Sequence, residues 1–134
     1  MPLRLEIVTP EAKIYSEDVD FVTLPAVEGE MGIFPRHIPL MTQVKAGEVA
    51  ARKGGQEFFL AVGEGFVQVT GERVAILTDM AIRSENIDEQ KVEEARNRAE
   101  ARLKEKLSND EQATVSAALA HSLAQLHVKR RTRR

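Results

Sequence analysis

The sequence predicts an α+β protein in two parts, an N-terminal antiparallel β-sandwich or flattened barrel followed by a C-terminal antiparallel α-helical hairpin. The composition changes near residue 72: all eight glycines, all five prolines, all five phenylalanines and the one tyrosine lie at or before Gly71. From residue 72 onward the chain has none of them and is rich in Ala, Glu, Leu and Arg. Turn formers and aromatic residues are typical of β-structure, and their absence beside strong helix formers is typical of helices. We therefore expect a sandwich domain over 1–84 and a two-helix domain over 85–134.

Short β-prone segments recur between turn signals in the first part. In segment 3–8, apolar residues alternate with polar ones, which is the period of a half-buried strand. We expect a further strand at 19–24, a hairpin at 48–62 that turns at Gly54-Gly55, and a second hairpin at 66–78 that turns at Gly71. The predicted core consists of Phe21, Phe34, Phe58 or Phe59, Phe66, Val69, Ile76 and Leu77.

The densest motif is segment 29–40, which reads Gly-Glu-Met-Gly-Ile-Phe-Pro-Arg-His-Ile-Pro-Leu. Its glycines permit unusual backbone angles, and its prolines remove two donors and disfavour helix at the residues before them. The motif predicts a stiff, non-helical loop that presents Glu30, Arg36 and His37. It lacks the Gly-Lys-Ser/Thr ending of a phosphate-binding loop. Two interpretations stay open, a rigid β-connection and a binding edge.

Two apolar stripes at helical spacing indicate the hairpin in the second part. Several N-cap candidates lie between 84 and 89, and Ser108 and Glu111 have the spacing of a capping box between the helices. The first stripe is Val92, Ala95, Ala99, Leu103 and Leu107, and the second is Val115, Leu119, Ser122/Leu123 and Leu126. Both stripes are narrow and rich in alanine, so we expect a hairpin that opens easily.

Several function classes are disfavoured by the composition. The chain has no cysteine, which excludes disulfides, zinc thiolates and cysteine nucleophiles. Its three histidines lack the spacing of a metal site, and no nucleophile stands beside a base, so we expect neither metal nor catalysis. No apolar stretch is long enough for a membrane span, and the N-terminus lacks a signal-peptide pattern. We expect a cytoplasmic protein that reaches a membrane only through partners.

The C-terminal segment 129–134, Lys-Arg-Arg-Thr-Arg-Arg, carries five positive charges in six residues. Such a tail complements the dipole at the end of a helix, or it binds an acidic protein surface or a polyanion. A nucleic-acid-associated adaptor is therefore the alternative function. The net charge of −2 and the lack of nearby aromatic residues for base stacking argue against nucleic-acid binding.

Five segments carry a family resemblance: 5–10 (Leu-Glu-Ile-Val-Thr-Pro), 29–40, 61–69 (Ala-Val-Gly-Glu-Gly-Phe-Val-Gln-Val), 74–77 (Val-Ala-Ile-Leu) and 87–88 (Ile-Asp). The resemblance is to the epsilon subunit of F-type ATP synthases and extends over nearly the whole chain. It implies a non-catalytic subunit of the rotating central stalk, whose sandwich binds the gamma subunit and the ring of c subunits. It also implies a peripheral position at the cytoplasmic face of the membrane.

The family's ring-facing loop corresponds to 30–38 here, which makes Glu30, Arg36, His37 and Ile38 the contact candidates. In bacterial relatives the helical domain regulates the enzyme: it folds onto the sandwich in one state, and in the other it extends along gamma and obstructs ATP hydrolysis. The resemblance implies that basic residues then contact the catalytic beta subunit, within the head that beta forms with alpha. In this chain the candidates are Lys129, Arg130, Arg131, Arg133 and Arg134.

Some relatives bind ATP through an Ile-Asp-x-x-Arg-Ala motif and further arginines. Here the motif reads Ile-Asp-Glu-Gln-Lys-Val over 87–92, so lysine replaces the arginine and loses its bidentate fork. Asp88, Lys91 and Arg98 are the residues of a weak nucleotide site, while His121 and Gln125 stand where the second helix would carry arginines. We expect no resident cofactor, with ATP as a weak regulatory ligand only.

Overall fold

The computed structural model describes residues 3–132 and confirms the predicted fold class, a β-sandwich that closes into a flattened barrel and precedes two helices. The elements of this part of the chain are β1 (Leu3–Val8), β2 (Lys13–Val19), β3 (Phe21–Ala26), β4 (Gly29–Ile33), β5 (His37–Val44), β6 (Gly47–Lys53), β7 (Gln56–Val62), β8 (Gly65–Gly71), β9 (Arg73–Thr78), β10 (Ala81–Arg83), a 3₁₀ turn (Ser84–Asn86), α1 (Glu89–Leu103) and α2 (Asn109–Thr132).

The described strands form one sheet in the order β10-β7-β6-β3-β5-β8-β9-β1-β2, and β4 pairs with β3 beside this path. The pair β1–β9 is parallel, and the other pairs are antiparallel. The two ends of the path approach each other, because Arg83 Nη2 on β10 donates to the Ile14 carbonyl on β2 over 3.3 Å. The Arg83 guanidinium also lies 5.0 Å from the centroid of the Tyr15 ring. The sheet is therefore almost closed around its core.

Aliphatic side chains fill this core. Fully buried residues include Leu3, Leu5, Ile7, Val19, Val22, Leu24, Ile33, Val44, Val49, Leu60, Val62, Val67, Val69, Val74 and Ile76. Val69 and Ile76 were predicted in the core and lie there.

The phenylalanines and Leu77 were wrongly predicted to lie in the core. Phe34, Phe58, Phe66 and Leu77 are exposed, and Phe21 and Phe59 are only half-buried. The reason is the alternation of a strand, in which successive side chains point to opposite sides of the sheet. With Val67 and Val69 inside, Phe66 must share the outer side with Gln68.

The expected hairpins at 48–62 and 66–78 are confirmed as β6–β7 and β8–β9, but two strand assignments need correction. The strand expected at 19–24 starts at Phe21, because a bend at Asp20 separates it from β2. The strand β2 itself was not predicted. Most of the loop expected at 29–40 is strand, in β4 and β5, with a short connection at 34–36. Pro39 has no backbone N–H, and the β5–β8 register shifts between His37 and Leu40.

Side-chain caps begin both helices as the sequence indicated. The Asp88 carboxylate accepts a hydrogen bond from the Lys91 backbone N–H (3.2 Å) at the start of α1. The capping box is confirmed, because the Ser108 N–H donates to the Glu111 carboxylate and the Glu111 N–H donates to the Ser108 hydroxyl, both over 3.2 Å. Hydrogen bonds from Ser108 to the Glu111 carboxylate, first that of its backbone N–H and then that of its hydroxyl, hold the pKa of Glu111 below its ordinary value.

The second half of α2 lies between α1 and the outer side of β6 and β7. Its buried positions alternate along the helix because opposite sides of it are covered: Ser122, Ala124, Leu126 and Val128. Ala124, Leu126 and Val128 join a second apolar cluster with Ala61, Ile87, Val92, Phe59, Met80 and Ile82. Leu123, which the second predicted stripe included, is half-exposed instead. The hairpin is thus docked on the sandwich, mainly through α2.

The adjacent residues Ile76 and Leu77 offer a test of the core. We expect Ile76→Ala to lower the free energy of unfolding by about 2–5 kcal/mol, because it leaves a cavity in a closed core. Leu77→Ala should cost less than about 1 kcal/mol, because this side chain is half-exposed. Urea denaturation of both variants measures the difference, and equal losses would contradict the orientation of β9.

Candidate docking surfaces

One end of the sandwich, which we call the tip (residues 34–39), exposes apolar side chains beside a cation. Phe34 is 63% exposed and Ile38 is 78% exposed, although the Phe34 ring packs on Phe21 with a centroid distance of 4.3 Å. Arg36 holds the connection with φ 69°, and its N–H donates to the Gly71 carbonyl over 3.0 Å. This left-handed backbone is uncommon for a residue other than glycine. The tip is therefore a partly apolar end of the sheet, with its connection held in a defined backbone conformation.

Three of the four predicted ring-contact residues lie together at this tip. Arg36, His37 and Ile38 are consecutive, and His37 Nδ1 lies 2.8 Å from the Ile38 carbonyl oxygen. Glu30 is exposed but belongs to β4, four residues before Phe34, which is roughly 13 Å of strand at the usual rise. The structure therefore separates Glu30 from the other three.

A second exposed surface, which we call the apolar face, consists of Val27, Met41, Phe66 and Leu77. These side chains are 51%, 67%, 52% and 53% exposed, respectively. Strand register makes them neighbours, because Phe66 on β8 stands opposite Leu77 on β9 and opposite Gln43 on β5. The Val27 N–H donates to the Gln43 carbonyl over 3.1 Å, which holds Val27 at the same edge. Contiguous apolar surface of this kind is typical of a docking site.

Open cavities surround the apolar face, and charged residues line them. Cavities of about 500 and 400 Å³ lie on either side of Val27 and Phe66, and one of about 480 Å³ lies beside Leu77. The charged side chains that line these cavities are Glu28, Lys45, Glu64 and Asp79. This surface was not predicted from the sequence, although the alternation within 66–69 already placed Phe66 with Gln68 rather than with the valines.

Two sets of polar contacts hold the hairpin on the sandwich. In the first docking contact, Asp79 Oδ1 lies 3.1 Å from His121 Nε2 of α2. The pair sits directly over Gly63, where an added Cβ would be 1.9 Å from Asp79 Oδ1 and 2.7 Å from His121 Nε2. Gly63 is therefore required for space, since no other residue lets the carboxylate and the imidazole approach the strand so closely.

The second docking contact is centred on Glu48, whose side chain is only 12% exposed beneath α2. Glu48 Oε2 lies 3.2 Å from His127 Nε2 and 3.1 Å from Arg131 Nη1. The Arg131 guanidinium also lies 5.1 Å from the centroid of the Phe59 ring, a cation–π contact with the strand next to β6. A largely buried carboxylate thus contacts two side chains from successive turns of α2.

The cations before Arg131 are also engaged within the chain. Lys129 Nζ donates to the Ser84 carbonyl over 3.2 Å, and Arg130 pairs with Glu89 (3.1 Å) and with Glu93 of α1. Hydrogen bonds to Glu89 and then Glu93 raise the pKa of Arg130 above its ordinary value. Lys129, Arg130 and Arg131 therefore continue α2 and bind the rest of the molecule, which leaves little free charge for a polyanion. Arg133 and Arg134 lie outside the described residues.

The three residues of the predicted nucleotide site lie on the exposed surface of α1. Asp88 is occupied as the helix cap, and the side chains of Lys91 and Arg98 are exposed. A groove of about 660 Å³ does lie between the helices, and its lining includes none of the three: Arg96, Leu123, Leu126, His127, Arg130 and Arg131. On α2, His121 contacts Asp79 and Gln125 Nε2 lies 3.9 Å from Met80 Sδ. The nucleotide site stays a prediction.

Within residues 3–132, no group of His, Cys, Asp and Glu side chains is arranged to hold a metal ion. No helix in the same part of the chain is long and apolar enough to cross a membrane.

Two family models match the chain, one for each structural part. The ATP synthase delta/epsilon chain β-sandwich domain matches residues 2–84, and the ATP synthase delta/epsilon chain long α-helix domain matches residues 85–130. Similar curated proteins are named ATP synthase epsilon chain. Those of Dehalococcoides mccartyi and Herpetosiphon aurantiacus are each 42% identical, over 98% and 96% of this chain and 95% and 94% of their own length. That of Desulforamulus reducens is 45% identical over 77% of this chain and 78% of its own.

Solved structures with the same fold come from ATP synthase assemblies. A chain of the Euglena gracilis mitochondrial ATP synthase, in a structure of its OSCP, F1 and c-ring, matches with a TM-score of 0.77 and 25% identity. That match covers 94% of this chain and 79% of the other. A chain of the Tetrahymena thermophila central stalk and c-ring matches with a TM-score of 0.57 and 12% identity, over 98% and 96% of the two chains, which shows likeness of fold.

Substitution of Gly63 tests the first docking contact. We expect Gly63→Ala to displace Asp79 or His121 and loosen the hairpin, because the new methyl group occupies their space. Amide hydrogen exchange in the second half of α2 should accelerate, while exchange in β1 and β9 stays slow. The neighbouring Glu64→Ala removes an exposed side chain without filling that space and serves as the control. Unchanged exchange in α2 of Gly63→Ala would contradict this role of the glycine.

Proposed function

The chain belongs to the ATP synthase epsilon-chain family, and from this premise we propose that it is a non-catalytic subunit of the rotating central stalk. In this proposal the sandwich joins the gamma subunit to the ring of c subunits, so that ion-driven rotation of the ring reaches the catalytic head. The hairpin regulates ATP hydrolysis in the head. The observation that carries the proposal is the presence of two separate exposed apolar surfaces on one closed sheet.

We assign gamma to the apolar face. Val27, Met41, Phe66 and Leu77 extend over neighbouring elements, and surfaces of this kind suit a partner that stays bound. The tip is assigned to the c-ring, because Phe34 and Ile38 project from one end beside the cation of Arg36 and make a compact contact. An almost closed sheet between the two surfaces is close-packed and deforms little, as transmission of torque requires.

The hairpin suits a regulator because weak contacts hold it. Exposed ion pairs each contribute about 0.2–1 kcal/mol, and among the buried residues of the apolar cluster beneath α2 only Ile87 and Leu126 are larger than valine. Docked and released states then lie within reach of a ligand or of rotation. Release frees Lys129 and Arg131 from Ser84 and Glu48, and opening of the hairpin also frees Arg130 from Glu93, so that these cations become available to an acidic surface of the beta subunit. Weak ATP binding at Asp88, Lys91 and Arg98 is a further element of this proposal.

The proposal gives the chain a peripheral position at a membrane. The ATP synthase is a membrane-associated complex, and this chain joins it through its partners. We propose the cytoplasmic face, where the catalytic head of a bacterial enzyme lies.

Removal of the hairpin tests its regulatory role. A chain that ends after Ser84 should keep a folded sandwich that binds gamma, because the core of the sandwich contains no hairpin residue. The assembled enzyme should then hydrolyse ATP faster than the enzyme with the full chain. Circular dichroism, pull-down with gamma and ATPase assays measure the three outcomes. An unfolded fragment would contradict independent domains, and unchanged hydrolysis would contradict regulation by the hairpin.

A pair of matched substitutions tests the assignment of the two surfaces. Ile38→Asp at the tip should weaken binding to the c-ring by roughly 30-fold and leave gamma binding intact, since a buried anchor at an interface is worth about 2 kcal/mol. Phe66→Asp on the apolar face should do the reverse. Binding of each variant to isolated gamma and to purified c-ring measures both effects. If both substitutions weakened binding to the same partner, the assignment of the surfaces would be wrong.

A further inference from the structure

Asp79 belongs to both the hairpin contact and the apolar face. Its Oδ1 lies 3.1 Å from His121 Nε2 of α2, and its side chain is 49% exposed. The same residue lines the cavity beside Phe66 and the cavity beside Leu77. A partner that covers the apolar face therefore comes within reach of a carboxylate that already has a partner on the hairpin.

The margin of the apolar face is predominantly acidic. Glu28, Glu64 and Asp79 line its cavities, against the single cation of Lys45. Among the described residues, Glu28 and Glu64 take part in no ion pair, so their charges are available to an incoming group. Charge complementarity selects a partner whose apolar surface carries lysine or arginine where it meets this margin.

Such a cation is a stronger partner for Asp79 than an imidazole. Lysine and arginine are fully charged at neutral pH, whereas a histidine ordinarily is charged only in part. Hydrogen bonds between two charged groups are shorter and stronger than those with a neutral partner. The half-exposed position of Asp79 allows its carboxylate to turn from His121 toward the margin.

The backbone around Asp79 joins the two surfaces as well. The Asp79 N–H donates to the Glu64 carbonyl over 3.1 Å, and the Gly63 N–H donates to the Met80 carbonyl over 2.8 Å. Met80 packs against the apolar cluster under α2, and its Sδ lies 3.9 Å from Gln125. Residues 79–80 therefore contact α2 on one side and the margin of the apolar face on the other.

We propose that partner docking and hairpin docking compete for Asp79: a lysine or arginine of the protein that occupies the apolar face binds Asp79 and Glu64, displaces His121, and so favours release of the hairpin. This inference rests on the proposed function, in which the occupant is gamma. By linkage, a docked hairpin weakens gamma binding by the same factor by which gamma weakens hairpin docking.

The test uses the full chain, with the gamma subunit of the same ATP synthase as the probe. The chain has no cysteine, so Glu57→Cys on β7 and Gln112→Cys on α2 provide two exposed label sites for distance measurement by energy transfer. His121→Ala, Asp79→Asn and Glu64→Gln are compared with the control Asp18→Asn. Asp18 on β2 is a carboxylate of similar exposure. It pairs with Arg4 at the start of β1, whereas the cavity beside Leu77 lies at the other end of this strand, near Val8.

We expect gamma to lengthen the distance between the labels in the wild-type chain. His121→Ala should raise gamma affinity by roughly two- to fivefold, because the competitor is gone, and Glu64→Gln should lower it by a similar factor, because it removes only a contact with gamma. Asp79→Asn removes the contact with each competitor, so its gamma affinity should lie between those of the other two variants. Asp18→Asn should change nothing. An affinity that is unchanged or lower in His121→Ala, or a label distance unaffected by gamma, would overturn the competition. Failure of the wild-type chain to bind gamma at all would instead overturn the proposed function.

Discussion

Alternation around an almost closed sheet is the constraint on which the other features of this protein depend. Once valine and leucine fill the inside of β7, β8 and β9, the residues between them must face outward, whatever their hydrophobicity. Phe66 and Leu77 consequently form an exposed surface on one side, and Phe59 and Ala61 meet the hairpin on another. The aliphatic core therefore determines which apolar side chains lie at the surface and where the helices pack.

The two helices of the hairpin contribute unequally to its contact with the sandwich. α1 packs on α2, and α2 packs on β6 and β7, so most of the docked area belongs to one half of one helix. Apolar side chains at its centre supply non-directional attraction, while Asp79 and Glu48 at separate positions fix the register of the helix on the strands. The core of the sandwich contains no residue of the hairpin, so its packing does not depend on the docked helix.

Local signals predicted the parts of this fold that depend on neighbouring residues. The change of composition separated strands from helices, and Gly54-Gly55 and Ser108 with Glu111 marked a hairpin turn and a helix start that the structure confirms. Contacts distant in sequence escaped prediction: Asp79 and His121 are 42 residues apart, and no local pattern links them. The predicted core was partly wrong for a different reason. It placed Ile76 and Leu77, which are consecutive residues of one strand, on the same side of the sheet. For the tip, the motif at 29–40 indicated Arg36, His37 and Ile38 but could not show that Glu30 lies along a strand away from them.

The parallel pairing of β1 with β9 has a consequence for biosynthesis. The antiparallel partner of β1, which is β2, is complete at residue 19, but the strand on its other edge is not available until residues 73–77 have emerged. Until then the core that buries Leu3, Leu5 and Ile7 is incomplete. The emerging polypeptide therefore exposes an apolar, aggregation-prone strand until more than half of the chain has left the ribosome. The helices follow last, and they meet a surface that is already complete.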